Sequence, residues 1–283
     1  MVGKTSKVAT VFHESFALSL PSISQILQVA CESESGDENG KSRNLSYDAI
    51  KQGTTLGNNY VKAMRRYARA VGLLDDRDGL TPFGKLVSRS DPHLQRMRTL
   101  WAVHYHLCAS HHSGPGFWGH LASECFTPYR ELVTEDVAQL IAAYLQAQGD
   151  PVLAARTLRT TATVFLGSYH KSDGLGALGI LSSQGDGKCV AGEPDLPGTR
   201  VVAYVIADYW AAQWKNRKQV NLSAMTEPGG PASLLMMSSG DINSSLGDMA
   251  GLGLVQVQRR IPPYSVVRLW QSAEAVMEQL YDG

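Results

Sequence analysis

LGNNYVKAMRRYARAVGLLDDRDGLTPFGKLV, from Leu56 to Val87, decides how this chain is read. It runs as a polar turn, a basic amphipathic helix, a tight charged turn and the start of another helix. Tyr60, Met64, Tyr67 and Val71 recur at helical spacing and predict a buried stripe. Lys62, Arg65, Arg66 and Arg69 share a second face. Gly72 suits the left-handed residue that ends a helix. Leu73 and Leu74 suggest a short strand, Asp75 to Gly79 its turn, and Leu80 and Thr81 its return. Thr81-Pro82 then reads as the cap and first position of the next helix. Upstream, Ser46 is the expected cap of a short helix through Tyr47, Ala49 and Ile50. Helix, helix, hairpin, helix is the order of a winged helix.

Working outward, Ile23, Ile26, Leu27 and Ala30 predict an earlier amphipathic helix. ESESGDENGKSRN, Glu32 to Asn44, reads as an exposed loop. Residues 91–170 read as largely helical, with one helix over Glu131–Gln148 and another from Pro151 to Leu166. Gly167 to Gly198 is rich in Gly, Ser and Asp and is expected to be a long surface loop and a domain boundary. Val201 to Trp214 predicts an apolar helix, and Ile242, Leu246 and Met249 predict another. Leu254 to Gln258 alternates like a half-buried strand, Arg259 to Pro263 turns, and Val266 to Trp270 returns. That is the winged-helix order a second time, followed by a final helix from Ser272.

The expected architecture is therefore mainly α, with winged-helix-like units at both ends carrying small β-wings. The expected divisions are an N-terminal unit over 1–90, a helical middle over 91–170, and a Gly-rich loop with a C-terminal unit over 171–283.

The chain has 283 residues, 43% hydrophobic, with 26 Lys plus Arg against 26 Asp plus Glu. A neutral total argues against an electrostatic nucleic-acid coat and confines any such contact to a local basic face. Gly57 to Arg98 is such a region, with nine basic and four acidic residues. No apolar run is long enough to span a membrane. Lys4 and Lys7 lack an apolar segment behind them, so no secretory signal is expected. Cys31, Cys108, Cys125 and Cys189 form no CxxC pair and read as reduced thiols of a cytoplasmic protein.

Basic residues on one helical face can hold phosphates, with neighbouring polar groups reaching base edges. The expected DNA contacts are Lys62, Arg65, Arg66 and Arg69 to phosphates and Asn58 and Asn59 to bases, with Arg77 and Lys85 supporting the wing. Ser244, Arg259 and Arg260 are the candidates in the C-terminal unit. The bland alternative is a pair of winged helices that serve only to dock protein, a homodimer partner included. A third pattern is WAVHYHLCASHH, Trp101 to His112. On one continuous helix, His104, Cys108 and His111 would share a face, as a zinc site requires. The segment lacks standard zinc-motif spacing, and histidines among aromatic residues are more often core groups. No GxSxG motif is present and no G-x-G-x-x-G precedes a helix, so the expectation is a protein without catalytic activity or cofactor.

FHESFAL (Phe12–Leu18), LGNNYVKAMRRYARAVGLL (Leu56–Leu74), LTPFGKLV (Leu80–Val87), Asp91-Pro92 and LWAVHYHL (Leu100–Leu107) occur in that order. Together they resemble a bacterial family known as domain of unknown function number four thousand and seven. The likeness loosens from Gly167 onward. The resemblance implies a companion of phosphoadenosine-phosphosulfate-reductase-like sulfurtransferases in DNA phosphorothioation and phage-defence operons. It implies no catalytic residues. It suits an accessory subunit that contacts double-stranded DNA or docks a defence-operon enzyme.

Overall fold

The structure, a computed structural model, describes residues 12–35, 45–151 and 153–282. It is mainly helical with two small antiparallel sheets. The chain divides into two compact units, one of Met1–Arg96 and His106–Asp195, the other of Met97–Tyr105 and Leu196–Gly283.

The first unit opens with α1 (Leu20–Ser35), α2 (Tyr47–Gly53), α3 (Asn58–Ala70) and α4 (Pro82–Ser90). Local chemistry sets these boundaries. The Ser46 hydroxyl accepts from the Ala49 amide at the start of α2, and Thr81 accepts from the Gly84 amide at the start of α4 with Pro82 behind it. Gly72 ends α3 at φ 76°. A Cβ there would collide with the His106 imidazole, which stacks on Phe83 at 4.8 Å, so the position needs glycine twice over. Ile23, Ile26, Leu27, Met64, Tyr67 and Val71 are buried as expected, whereas Tyr60 is half-exposed.

The α5 helix (Met97–Cys108) crosses from one unit to the other in sequence. The first unit continues with α6 (Gly116–Cys125), β1 (Glu131–Val133), α7 (Thr134–Gln148), α8 (Ala155–His170), β2 (Leu181–Gly185) and β3 (Lys188–Ala191). Trp118 lies at the centre of its aromatic core, with Phe12 and Phe165 edge-on at 6.0 and 5.2 Å. Its indole donates to the Tyr169 hydroxyl at 3.0 Å, and Tyr67 donates to the Phe16 carbonyl at 3.1 Å. Each buried ring contributes about 1.5–3 kcal/mol through area removed from water, provided its polar atom keeps a partner.

The second unit combines the Met97–Tyr105 part of α5 with α9 (Thr199–Tyr209), β4 (Gln219–Asn221), α10 (Pro231–Leu234), α11 (Ser239–Gly251), β5 (Val255–Gln258), β6 (Ser265–Arg268) and α12 (Ala273–Met277). Ser238 and Asp241 form a reciprocal capping box that starts α11. The strands run in the order β4-β6-β5, with Val257 opposite Val266. The α5 segment is tied in by Tyr105 donating to Asp208 at 2.7 Å, Thr99 bonded to the Tyr281 hydroxyl at 2.7 Å, and Arg98 donating to the Asp282 carbonyl at 2.9 Å.

Four expectations are corrected. The first hairpin shrinks to a single bridge between Leu74 and Leu80, because its turn is held by side chains rather than by a ladder. Gly167–Gly198 is not a surface loop. The α8 helix runs on to His170, and the segment then forms β2 and β3, which join β1 in the order β1-β3-β2. Glu131–Val133 is a strand rather than the first turn of α7, paired with Lys188–Val190. Glu32–Ser35 belongs to α1 rather than to a loop. The remainder of that expected loop, 36–44, lies outside the described residues, as do Lys4 and Lys7.

Candidate nucleic-acid interface

The α3 helix presents its basic face as expected, and the structure turns that face into a cavity. Lys62, Arg65, Arg66 and Arg69 line a space of about 340 Å³ together with Tyr47 from α2. The spacing i, i+3, i+4, i+7 places the four cations along one side of the helix, while the apolar residues between them are buried. Tyr47 is fixed by its hydroxyl, which donates to the Asn58 carbonyl at 3.0 Å.

Three of the four cations are held in place. Arg69 donates through Nε to Asp78 Oδ1 at 2.7 Å, and Arg65 through Nε to Asp78 Oδ2 at 2.6 Å, with a second Arg65 contact to the same oxygen. The Asp78 side chain is only 1% exposed and sits at φ 63° in the turn after α3. A buried carboxylate requires such partners, and it spaces the two guanidinium groups in return. Arg66 donates to Glu14 Oε1 at 2.8 Å and to the Phe12 carbonyl at 3.1 Å. Lys62 is exposed, and no described acidic side chain lies within ion-pair distance of it. Among the described residues, the cavity therefore sets four cations against two acids, Asp78 and Glu14.

Asn58 and Asn59 lie exposed in the first turn of α3, beyond a Gly57 cap that offers no side-chain oxygen to the helix amides. Arg77 is exposed at the tip of the turn, its amide donating to Asp75 Oδ1 at 2.8 Å. Lys85 is on α4 and pairs with Glu34 at 3.1 Å; neither it nor Arg77 lines the cavity. In the second unit, Ser244 is exposed on α11, and Arg259 and Arg260 are exposed after β5. Arg259 donates to Asn243 Oδ1 at 3.1 Å. Ile261 and Tyr264 project beside them, at 80% and 44% exposure.

Sequence reasoning missed Asp78, Glu14 and Tyr47. DDRDG contains three acidic residues, and only the backbone path shows that the third points inward while Asp75 caps the turn. The candidate metal group of the sequence is not assembled. Cys108 is the last residue of α5, so His111 does not continue the helical stripe. Among the described residues, His104, Cys108 and His111 do not bring their ligand atoms together. Burial lowers His104 to about 4 and pushes the Cys108 thiol up to about 12, so each is held neutral.

The sequence pattern of a family described as "Protein of unknown function (DUF4007)" matches residues 13–261. The chain belongs to the DUF4007 family. No curated protein matches it. Two solved structures are similar in fold. "SspB crystal structure" is 20% identical with a TM-score of 0.75, and "Magnesium ion-bound SspB crystal structure" is 19% identical with a TM-score of 0.72. Each alignment covers 98% of this chain and 88% of the other. No described helix is long and apolar enough to cross a membrane.

Proposed function

We propose that this DUF4007 member is a cytoplasmic DNA-binding accessory subunit of a bacterial DNA-modification or phage-defence system, working beside a sulfurtransferase of the phosphoadenosine-phosphosulfate-reductase type. The observation that carries this reading is the clustering of Lys62, Arg65, Arg66 and Arg69 around one concave surface of α3. The order of elements supports it. In the first unit, α2 and α3 lead through the short turn closed by Leu74 and Leu80 into α4, as in a reduced winged helix. In the second, β4, α10, α11, β5 and β6 follow winged-helix order with the strands arranged β4-β6-β5. The α3 face holds backbone phosphates, Asn58 and Asn59 reach towards bases, and Ser244, Arg259 and Arg260 make a second, weaker contact.

Duplex binding measured against salt tests this. Affinity should fall with a log–log slope of about −2 to −4, reflecting a few phosphate contacts. A flat slope, or full binding by the Lys62→Glu plus Arg66→Glu double variant, would sink the reading. These two positions are chosen because neither uncovers Asp78. The assay is run on supercoiled plasmid with and without magnesium, since one of the two structures similar in fold is magnesium-bound. Nicking of the plasmid would replace an accessory role with a catalytic one.

A second reading is a protein–protein adaptor that docks the sulfurtransferase or a nuclease without touching DNA. The observation favouring it is that Asp78 and Glu14 engage three of the four cations. Co-purification with the partner enzyme that survives high salt, without retained DNA, would select it.

A further inference from the structure

We propose that the cavity on α3 is a binding pocket for a nucleoside 5′-phosphate group, taken either from a strand end or from a free nucleotide. The proposal rests on the nucleic-acid reading in assigning a nucleotide to the site, and it narrows the ligand from a continuous backbone to a terminal phosphate.

Three observations point this way. The first is shape. A helix that tracks a groove presents a convex row of cations, whereas here four cations and a tyrosine line one space of about 340 Å³. That volume is at the lower end of the roughly 300–1,000 Å³ found for small-molecule sites, and it exceeds what one phosphate fills.

The second is charge. Among the described residues, Asp78 and Glu14 set against the four cations leave an excess of two positive charges at the site. A phosphate monoester carries about −1.5 to −2 at neutral pH and matches that excess, whereas an internal phosphodiester carries a single charge.

The third is preorganisation. Asp78, 1% exposed, fixes Arg65 and Arg69 through both of its oxygens, so their remaining N–H groups are set before a ligand arrives. Lys62 supplies a flexible ammonium. Tyr47, anchored by its hydroxyl to the Asn58 carbonyl, supplies the ring beside which the sugar or base rests.

The test uses the full chain and calorimetric titration with adenosine 5′-monophosphate, inorganic phosphate and unphosphorylated adenosine. Duplexes with 5′-phosphate or 5′-hydroxyl ends are tested in parallel. The monophosphate should bind, phosphate more weakly, and adenosine not measurably. Lys62→Ala plus Arg66→Gln should weaken the monophosphate at least tenfold without lowering the unfolding midpoint. Tyr47→Leu should weaken the monophosphate but not phosphate. A preference for the 5′-phosphorylated duplex assigns the strand end as the source; equal duplex affinities with retained monophosphate binding assign the free nucleotide. No monophosphate binding at millimolar concentration, or binding indifferent to the double variant, overturns the pocket. Duplex binding that persists in that case leaves the DNA reading standing. Monophosphate binding without duplex binding removes the DNA reading and keeps the pocket.

Discussion

At Asp78 a backbone constraint and an electrostatic one coincide. The left-handed conformation at φ 63° turns the carboxylate inward, and Arg65 and Arg69 neutralise it there. Asn tolerates the same backbone, so Asp78→Asn removes the charge and keeps the turn. The expected loss is about 1–3 kcal/mol, reduced from the value for a fully buried pair because both arginines are about a quarter exposed. Urea unfolding measures it, and an unchanged midpoint would mean that the two ion pairs contribute nothing net. The reverse change is worse, because losing both arginines strands a buried carboxylate. Substitutions at Arg65 or Arg69 therefore confound binding with stability, and Lys62 and Arg66 are the cleaner probes.

At the level of elements, the sequence revealed those boundaries that have a local chemical cause. Ser46, Gly72, Thr81-Pro82 and Ser272 each mark a helix end through their own local chemistry. The first sheet was not legible, because β1 lies far in sequence from the hairpin of β2 and β3 that it joins. Glu131–Val133 is too short to alternate, and Ser182, Ser183 and Gln184 are exposed and polar. The cations of the site were readable from helical spacing alone. The cavity was not, because Tyr47 comes from another helix and Asp78 is one of three acids in a turn. The hairpin of β5 and β6 yields a further expectation. Arg259→Glu plus Arg260→Glu should weaken duplex binding about tenfold by reversing exposed charge near phosphate, with the unfolding midpoint unchanged. Equal binding by the variant would remove this hairpin from the interface.

For the whole molecule, solution pH acts on stability through the groups whose pKa folding changes. His104 is the clearest, lowered to about 4 by burial, against a hydrogen bond to the Leu234 backbone that raises it. A folded-state value below the unfolded one makes the unfolded chain the better proton acceptor. The stability is then complete above about pH 6.5 and declines as pH falls towards about 4, by on the order of 3 kcal/mol in all. Between pH 7.5 and 4.5, the urea midpoint of the wild type should fall further than that of His104→Gln. Parallel declines would assign the acid sensitivity to other groups.

The interruption of the second unit by the first has a consequence for how the polypeptide can be divided. Residues 97–105 reach their unit from a distant point in the sequence, secured through Arg98, Thr99 and Tyr105, with Trp101 and His104 buried. A fragment beginning at Leu196 lacks that plug and should remain loosely packed. Supplied in trans, a peptide spanning the missing segment should restore its cooperative melting. The C-terminal unit would then serve as a natural split-protein pair, with reassembly read by the return of tryptophan fluorescence, and a Thr99→Val, Tyr105→Phe peptide should complement poorly.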